Sequence, residues 1–194
     1  QIKWEYSHLG VSKPVISNGT IYVLGGRDEG PFGAFGVVAA VDTESGQEKW
    51  TWEPENLNTM SAPTISNGMV FIAAKEEYSN RDPNKPDDPK YFFYALDEAT
   101  GQVKWSINND LRGYYECYVS ASENQVYFLM GTGNVRNPLI AVDINSGKEL
   151  WSYEGPERKP TIGEELAQEA GMEGIGPDIS QPSISNGVVY ITTT

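Results

Sequence analysis

The stretch ALDEATGQVKW, from Ala95 to Trp105, has two further versions in this chain of 194 residues. They are AVDTESGQEKW, which ends at Trp50, and AVDINSGKELW, which ends at Trp151, and the tail of another copy, QIKW, ends at Trp4. The shared pattern is Ala-x-Asp-x-x-(Ser/Thr)-Gly-x-x-x-Trp. Four of the five tryptophans therefore occupy one position of a repeat.

The pattern predicts a β-hairpin. The apolar run ends at Asp, whose short side chain can accept a hydrogen bond from the backbone two residues on, and Gly supplies the positive φ that closes the turn. Beyond the Gly, apolar residues alternate with polar ones, as at Trp50 and Trp52 and at Trp105 and Ile107. Each Trp is thus expected to begin the buried face of a returning strand.

A second hairpin is predicted before each of these motifs. It is seen in PVISNGTIYVL (14–24), PTISNGMVFIA (63–73) and PSISNGVVYIT (182–192), with VSASENQVYFL (119–129) as a looser copy. Asn-Gly between two strand-forming runs is the strongest short-range signal for a two-residue turn. Each complete repeat therefore carries four strands.

Four strands recurring about every 40–50 residues predict the blades of an all-β propeller. We expect a single array over residues 1–194, with four-stranded antiparallel blades. Its parts are the last strand of a preceding blade (1–6), three complete blades (14–53, 62–107 and 118–153) and the first two strands of a further blade (181–194). Three and a half blades predict an incomplete ring, which is either a fragment of a longer polypeptide or half of a two-copy ring.

Variation between the repeats is confined to two kinds of connection. The insertion Glu76 to Lys90 and the glycine-rich segment Gly25 to Gly36 join the second and third strands, and the remaining variable segments join the blades (54–61, 108–118 and 155–180). In an up-and-down blade these connections open on one face, which is our candidate functional face. Helix-forming composition predicts a short helix at Ile162 to Met172 within the last segment.

Charge and composition exclude several classes of function. The chain has 27 Asp and Glu against 14 Lys and Arg, a net charge of -13, whereas nucleic acid binding needs a basic surface. No apolar run approaches the ~20 residues of a membrane helix, so membrane insertion is not expected. The single cysteine and single histidine, His8, argue against a zinc site or a histidine-dependent nucleophile within this chain.

Two loop regions carry candidate binding chemistry. Asp82, Asp87 and Asp88 concentrate the oxygen ligands that calcium prefers, although their spacing is not that of an EF-hand and a solvated acidic loop is the plainer interpretation. On the same predicted face, aromatic and arginine side chains around the lone cysteine could line a ligand groove. The residues of this candidate binding face are Arg27, Arg112, Tyr114, Tyr115 and Cys117. For Cys117 itself the default expectation is a small buried hydrophobic residue, and a place in the groove is the alternative.

The repeat resembles the tryptophan-docking motif of the pyrroloquinoline quinone (PQQ) repeat family, which includes quinoprotein alcohol dehydrogenases and the outer-membrane assembly lipoprotein BamB. The resemblance covers nearly the whole chain and implies structural roles. Its small residue, which admits a neighbouring indole, is matched by Ala40, Ala95 and Ala141, and its turn is matched by Asp42, Asp97, Asp143, Gly46, Gly101 and Gly147. Trp4, Trp50, Trp105 and Trp151 would dock each blade onto its neighbour.

The resemblance leaves three functions open. Quinoprotein dehydrogenases carry an adjacent cysteine pair, a calcium ion and a catalytic Asp, whereas this chain has one cysteine. We therefore expect a non-catalytic binding or scaffold module of the cell envelope, with no catalytic residue and no cofactor held by this chain. The alternatives are part of a PQQ-dependent dehydrogenase that oxidises alcohols or sugars with PQQ and calcium, and a sensor domain of a signalling protein.

The same resemblance implies partners and a compartment. We expect a protein partner or further propeller blades, and the two-copy ring would be a homodimer with Val188 to Thr192 of one copy beside Ile2 to Tyr6 of the other. Relatives of this kind place the chain in the periplasm or outside the cell.

Overall fold

The computed structural model describes residues 2–6, 9–10, 13–28, 34–54, 57–59, 61–76, 90–112, 117–130, 138–154 and 181–191. Every regular element among them is a strand. The first blade contains β1 (Leu9–Gly10), β2 (Val15–Ser17), β3 (Thr20–Asp28), β4 (Ala34–Asp42) and β5 (Glu48–Trp52). The second contains β6 (Leu57–Thr59), β7 (Thr64–Ser66), β8 (Met69–Glu76), β9 (Lys90–Asp97) and β10 (Val103–Arg112).

The third blade contains β11 (Cys117–Ala121), β12 (Gln125–Met130), β13 (Leu139–Asp143) and β14 (Glu149–Tyr153), and β15 (Ser183–Ser185) with β16 (Val188–Tyr190) forms a two-stranded sheet. Every pairing is antiparallel. The described sheets form three blades and a half blade that do not close into a ring, which confirms the predicted fold class.

Two short strands lie where the sequence predicted loops between blades. β1 pairs with the far half of β3, and β6 pairs with the far half of β8, so each is a detached piece of its blade's first strand. Strands of two or three residues are too short to show an alternating pattern. Residues 2–6, which belong to the predicted last strand of a preceding blade (1–6), pair with no strand in the described part of the chain, and that strand stays a prediction.

The Ser-Asn-Gly segments form the predicted two-residue turns. Both central residues have positive φ, with Asn18 at 46° and Gly19 at 69°, and the turns at 67–68 and 186–187 repeat this geometry. The flanking residues pair in register, as in Ser17 with Thr20. The looser copy is closed differently, by hydrogen bonds that Ser122 exchanges with Gln125.

The hydrophobic core lies between the blades. Alternate residues of β8 face opposite neighbours, because Val70 and Ile72 pack with the first blade whereas Phe71 and Ala73 pack with the third. A strand that is buried on both faces explains why its sequence, MVFIAA, is continuously apolar. Neighbouring first strands also contact each other, as β7 does β11, so the blades are arranged side by side about their first strands.

Candidate functional site

The aspartate of each repeat organises a tight turn. Asp42 Oδ1 accepts hydrogen bonds from the backbone N–H groups of Glu44 (3.0 Å) and Ser45 (2.9 Å) and from the Ser45 hydroxyl (2.9 Å). The N–H of Gly46, at a φ of 71°, donates to the Asp42 carbonyl at 2.9 Å. Asp97 and Asp143 make the same set of bonds in the second and third blades.

Both tight turns of each blade lie at the same end of the sheet. The residue after the repeat aspartate donates its N–H to the first turn of its own blade, as in Thr43 to the Gly19 carbonyl (3.1 Å) and Glu98 to the Gly68 carbonyl (2.9 Å). The ends of the second and third strands that lead to the variable connections therefore lie at the other end of each sheet.

Two tryptophans reach from one blade to the aspartate turn of the next, and Trp4, from the segment before the first blade, reaches the aspartate turn of that blade. The indole Nε1 of Trp50 donates to the Glu98 carbonyl at 3.0 Å, and that of Trp105 donates to the Ile144 carbonyl at 2.9 Å. Trp4 makes the same bond to the Thr43 carbonyl at 3.1 Å. In every case the acceptor directly follows the repeat aspartate.

The turn glycines lie directly against these indoles. A Cβ added to Gly101 would lie 2.6 Å from the ring of Trp50, and one added to Gly147 would lie 2.8 Å from the ring of Trp105. Such distances are far below van der Waals contact, so only glycine allows this approach. Gly46 is as close to Trp4.

In each of the three blades, an aromatic residue of the second strand packs on the repeat tryptophan of the same blade. The ring centroids are 5.8 Å apart for Tyr22 and Trp50, 5.8 Å for Phe71 and Trp105, and 5.9 Å for Tyr127 and Trp151. Trp50 and Trp105 are therefore held between their own blade and the next.

Trp151 packs on an aromatic residue of its own blade but contacts no aspartate turn in the described part of the chain. It lies opposite Ala141 in the sheet, as Trp50 lies opposite Ala40 and Trp105 opposite Ala95. It is nevertheless 39% exposed, against 8% for Trp50 and 9% for Trp105. The difference arises because the described part of the chain places no aspartate turn beside Trp151.

The aspartate turns differ in their ion pairs. Lys49 lies 3.2 Å from Asp42 and Lys104 lies 2.9 Å from Asp97, whereas the corresponding position of the third repeat is Leu150. Hydrogen bonds from Lys104 and from Thr100 lower the pKa of Asp97 to about 2. The backbone and hydroxyl of Ser45, with Lys49, hold the pKa of Asp42 well below its ordinary value, and the Ser146 hydroxyl and N–H lower the pKa of Asp143.

A contact centred on Glu98 joins the first two blades and was missed by sequence reasoning. The Tyr22 hydroxyl lies 3.3 Å from both the carbonyl and the Oε1 of Glu98, and Asn18 Nδ2 donates to the same Oε1 at 3.2 Å. Burial and the charge of Glu98 raise the pKa of Tyr22 to about 12.

Side-chain hydroxyls also join the first strands of neighbouring blades. Thr64 Oγ1 donates to the Val119 carbonyl at 2.8 Å, and Ser120, at the same repeat position, donates to the Pro182 carbonyl at 2.5 Å. A recurring hydroxyl two residues before the turn serine was the sequence signal for this contact. The first repeat has Val15 at that position.

The candidate binding face falls largely outside the described residues. Tyr114, Tyr115, His8, the candidate calcium ligands Asp82, Asp87 and Asp88, and the predicted helix at 162–172 all lie there. Arg27 and Arg112 are placed by their backbone only, near the ends of β3 and β10 that lead to the variable connections. Their convergence on one groove therefore stays a prediction.

Cys117 lies in the hydrophobic core between the second and third blades and is 2% exposed. Burial raises the pKa of its thiol. The thiol is accordingly protonated at neutral pH and is a poor nucleophile.

Within the described residues, no group of three or more His, Cys, Asp or Glu side chains is placed to hold a metal ion. Across that same part of the chain there is no helix long and apolar enough to cross a membrane.

Known proteins share this fold. The structure of BamB from Moraxella catarrhalis superposes with a TM-score of 0.53 at 14% identity, covering 90% of this chain and 44% of BamB. Quinohemoprotein alcohol dehydrogenase from Comamonas testosteroni superposes with a TM-score of 0.55 at 22% identity, covering 85% of this chain and 24% of that enzyme. At these identities the likeness is one of fold.

Sequence comparison finds a curated relative and a family. The glycerol dehydrogenase large subunit of Gluconobacter thailandicus is 24% identical over 169 residues, which are 85% of this chain and 20% of the relative. The chain thus spans a fifth of that protein's length. Residues 1–194 match the sequence profile of the family described as "Outer membrane protein assembly factor BamB". The chain therefore belongs to this family of PQQ-like propellers.

Proposed function

We propose that this chain is a non-catalytic binding or scaffold module of the cell envelope and forms part of a larger propeller. The observation that carries the proposal is that the repeat residues are engaged in structural contacts. The indoles of Trp50 and Trp105 bond the aspartate turn of the next blade, and that of Trp4 bonds the aspartate turn of the first blade. Partner binding is therefore assigned to the candidate functional face, where the variable connections are predicted to open.

Family membership supports the same role. The family is described as an outer membrane protein assembly factor, and a binding or scaffold role agrees with that description. We place the chain in the periplasm or outside the cell on the same ground.

Site-specific photo-crosslinking in cells of the source organism tests this proposal. One photoreactive residue replaces Asp87, within the insertion that the sequence predicts on the candidate functional face, and another replaces Asn145, which lies in a tight turn. We expect discrete crosslinks to envelope proteins from position 87 only. Equal crosslinking from both positions, or none from either, would contradict loop-face binding.

The second candidate is part of a PQQ-dependent dehydrogenase, and the glycerol dehydrogenase relative favours it. In that case PQQ and calcium would supply the redox chemistry, and this chain would contribute blades to the ring around them. Dye-linked oxidation of glycerol or ethanol by the complete protein, dependent on added PQQ and calcium, would establish this function. Its absence would leave the binding function.

A further inference from the structure

Trp52 is the one tryptophan outside the repeat position, and it lies in a group of aromatic rings between the first two blades. Its ring centroid is 4.8 Å from that of Tyr94, with the two planes inclined at 58°. Tyr94 in turn stacks on Phe92, at 6.5 Å between centroids and 23° between planes. All three side chains are half-buried, and we call them the aromatic cluster.

The interface between the second and third blades is built differently at the same repeat positions. There Ile140 and Pro138 are buried, and Ile107 packs against the hydrophobic core that includes Ile140. Aliphatic residues therefore close the second interface, whereas three rings stay partly open to solvent at the first. Packing of one blade on the next does not require aromatic residues at these positions.

Two hydrogen-bond donors of the aromatic cluster have no protein partner within the described residues. These are the indole N–H of Trp52 and the hydroxyl of Tyr94, whose pKa is raised by burial alone. The indoles of Trp50 and Trp105, in contrast, both donate to backbone carbonyls. Since Trp and Tyr donors in partly buried places usually find an acceptor, these two are available to a ligand.

The strands around the aromatic cluster present no charge to it. Residues that lie directly opposite each other in neighbouring strands have their side chains on the same face of the sheet. Every residue paired in this way with one of the three rings is uncharged, in a chain whose net charge is -13. These residues are Val38, Ile72, Ala74, Ser106 and Asn108.

We propose that the aromatic cluster binds an uncharged saccharide. The C–H groups on one face of a sugar ring pack against the aromatic rings, whose faces carry partial negative charge, and the sugar hydroxyls accept hydrogen bonds from Trp52 and Tyr94. Ser106 and Asn108, both exposed beside the rings, add a hydroxyl and an amide. A mostly apolar surface with a few polar groups is the usual composition of a small-molecule site.

The test uses the full chain of 194 residues with its five tryptophans. Heteronuclear NMR spectra resolve the indole N–H signals, and that of Trp52 is the one missing from the Trp52→Ile variant. Maltose, cellobiose and diacetylchitobiose are added separately up to about 10 mM, at which a site with a millimolar Kd is nearly filled. We expect at least one sugar to shift the Trp52 signal and to leave that of Trp105 in place.

Variants then separate sugar binding from packing, with binding followed by saturation-transfer NMR on the same sugar. Trp52→Ile copies Ile107 of the second interface and should weaken binding by about tenfold, because the stacking surface is lost. Tyr94→Phe removes only the hydroxyl and should weaken binding by about fivefold. The matched control is Tyr153→Ile, at the repeat position of Trp52 in the third blade, which should bind as the unaltered chain does.

Circular dichroism checks that each variant is folded, and Tyr94→Phe alone decides the outcome if Trp52→Ile unfolds. An unmoved Trp52 signal with all three sugars would overturn the proposal, and so would equal binding by the cluster variants and the control. A Trp52 shift caused by a proline-rich peptide and by none of the sugars would also overturn it. The site is separate from the loop face, so the photo-crosslinking result would stand in each case.

Discussion

Trp105 and Trp151 hold the same repeat position and differ in what lies beside them. Both pack on an aromatic residue of their own second strand, at 5.8 and 5.9 Å between centroids. Trp105 also donates to the Ile144 carbonyl and lies on Gly147, whereas Trp151 is 39% exposed. The motif therefore fixes how the tryptophan packs within its own blade, whereas its burial requires the aspartate turn of the next blade.

The largest expected difference is between alanine variants of these two tryptophans. Trp105→Ala removes a buried indole from a packed interface and should lower the free energy of unfolding by about 3–5 kcal/mol. Trp151→Ala should lower it by about 1 kcal/mol or less, because much of that side chain is already in water. Urea unfolding followed by circular dichroism measures both. Equal losses would show that contact with the next blade contributes nothing to stability.

Alanine variants of Gly101 and Gly68 distinguish the effect of the close indole from the effect of backbone strain. Both have a φ near +70°, so Ala at either position should cost about 1–2 kcal/mol. The Cβ at position 101 would also meet Trp50 at 2.6 Å, whereas nothing lies within 4 Å at position 68. We therefore expect Gly101→Ala to destabilise the protein more, and to red-shift tryptophan emission as Trp50 is displaced.

The matching measurement is urea unfolding of both variants beside the unaltered chain. If Gly68→Ala cost as much as Gly101→Ala, the glycine of the repeat would serve the turn alone. The conclusion that it admits the indole would then be wrong.

Acid should weaken the second aspartate turn more than the third. The pKa of Asp97 is about 2 in the folded chain against an ordinary value of 3.8, so its ionised form is stabilised by folding. This contribution is complete above about pH 4 and is lost as the pH falls toward 2. Asp97→Asn should flatten the pH dependence of stability across that window.

Asp143→Asn is the matched control for the acid effect. Asp143 has the same turn bonds, but the neutral Leu150 stands where Asp97 has Lys104. Its substitution should flatten the pH profile less, as measured by thermal unfolding from pH 2 to 6. A larger effect at position 143 would mean that the lysine is not the main cause of the lowered pKa.

The local elements of this fold could be predicted from sequence, because short patterns determine them. Asn-Gly permits two successive positive φ values, and the Asp side chain closes its turn within four residues. The Glu98 contact could not be predicted in this way. Thr43 and Ile144 occupy its repeat position, and Glu98 reaches Asn18 and Tyr22 only because of how the blades are placed side by side.

The environment of Trp151 could not be predicted for a related reason. Its motif is the same as that of Trp105, so a local pattern assigns both residues the same burial. Burial depends on the neighbouring blade, which lies elsewhere in the sequence. The same holds for the candidate binding residues Arg27, Arg112, Tyr114 and Tyr115. Whether they lie close together depends on the variable connections, whose conformation the repeat pattern does not specify.

The smallest expected effect comes from giving the third turn the lysine of the other two. Leu150→Lys would place an ammonium group near Asp143, as Lys104 lies near Asp97, and should lower the pKa of Asp143 further. Leu150→Gln is the control, because it removes the exposed apolar side chain without adding charge. We expect the lysine variant to be slightly more stable than the glutamine variant at low ionic strength. The difference should vanish in 1 M salt, where the Debye length is about 3 Å. A difference that persists in high salt would mean that the side-chain stem, rather than the charge, stabilises the turn.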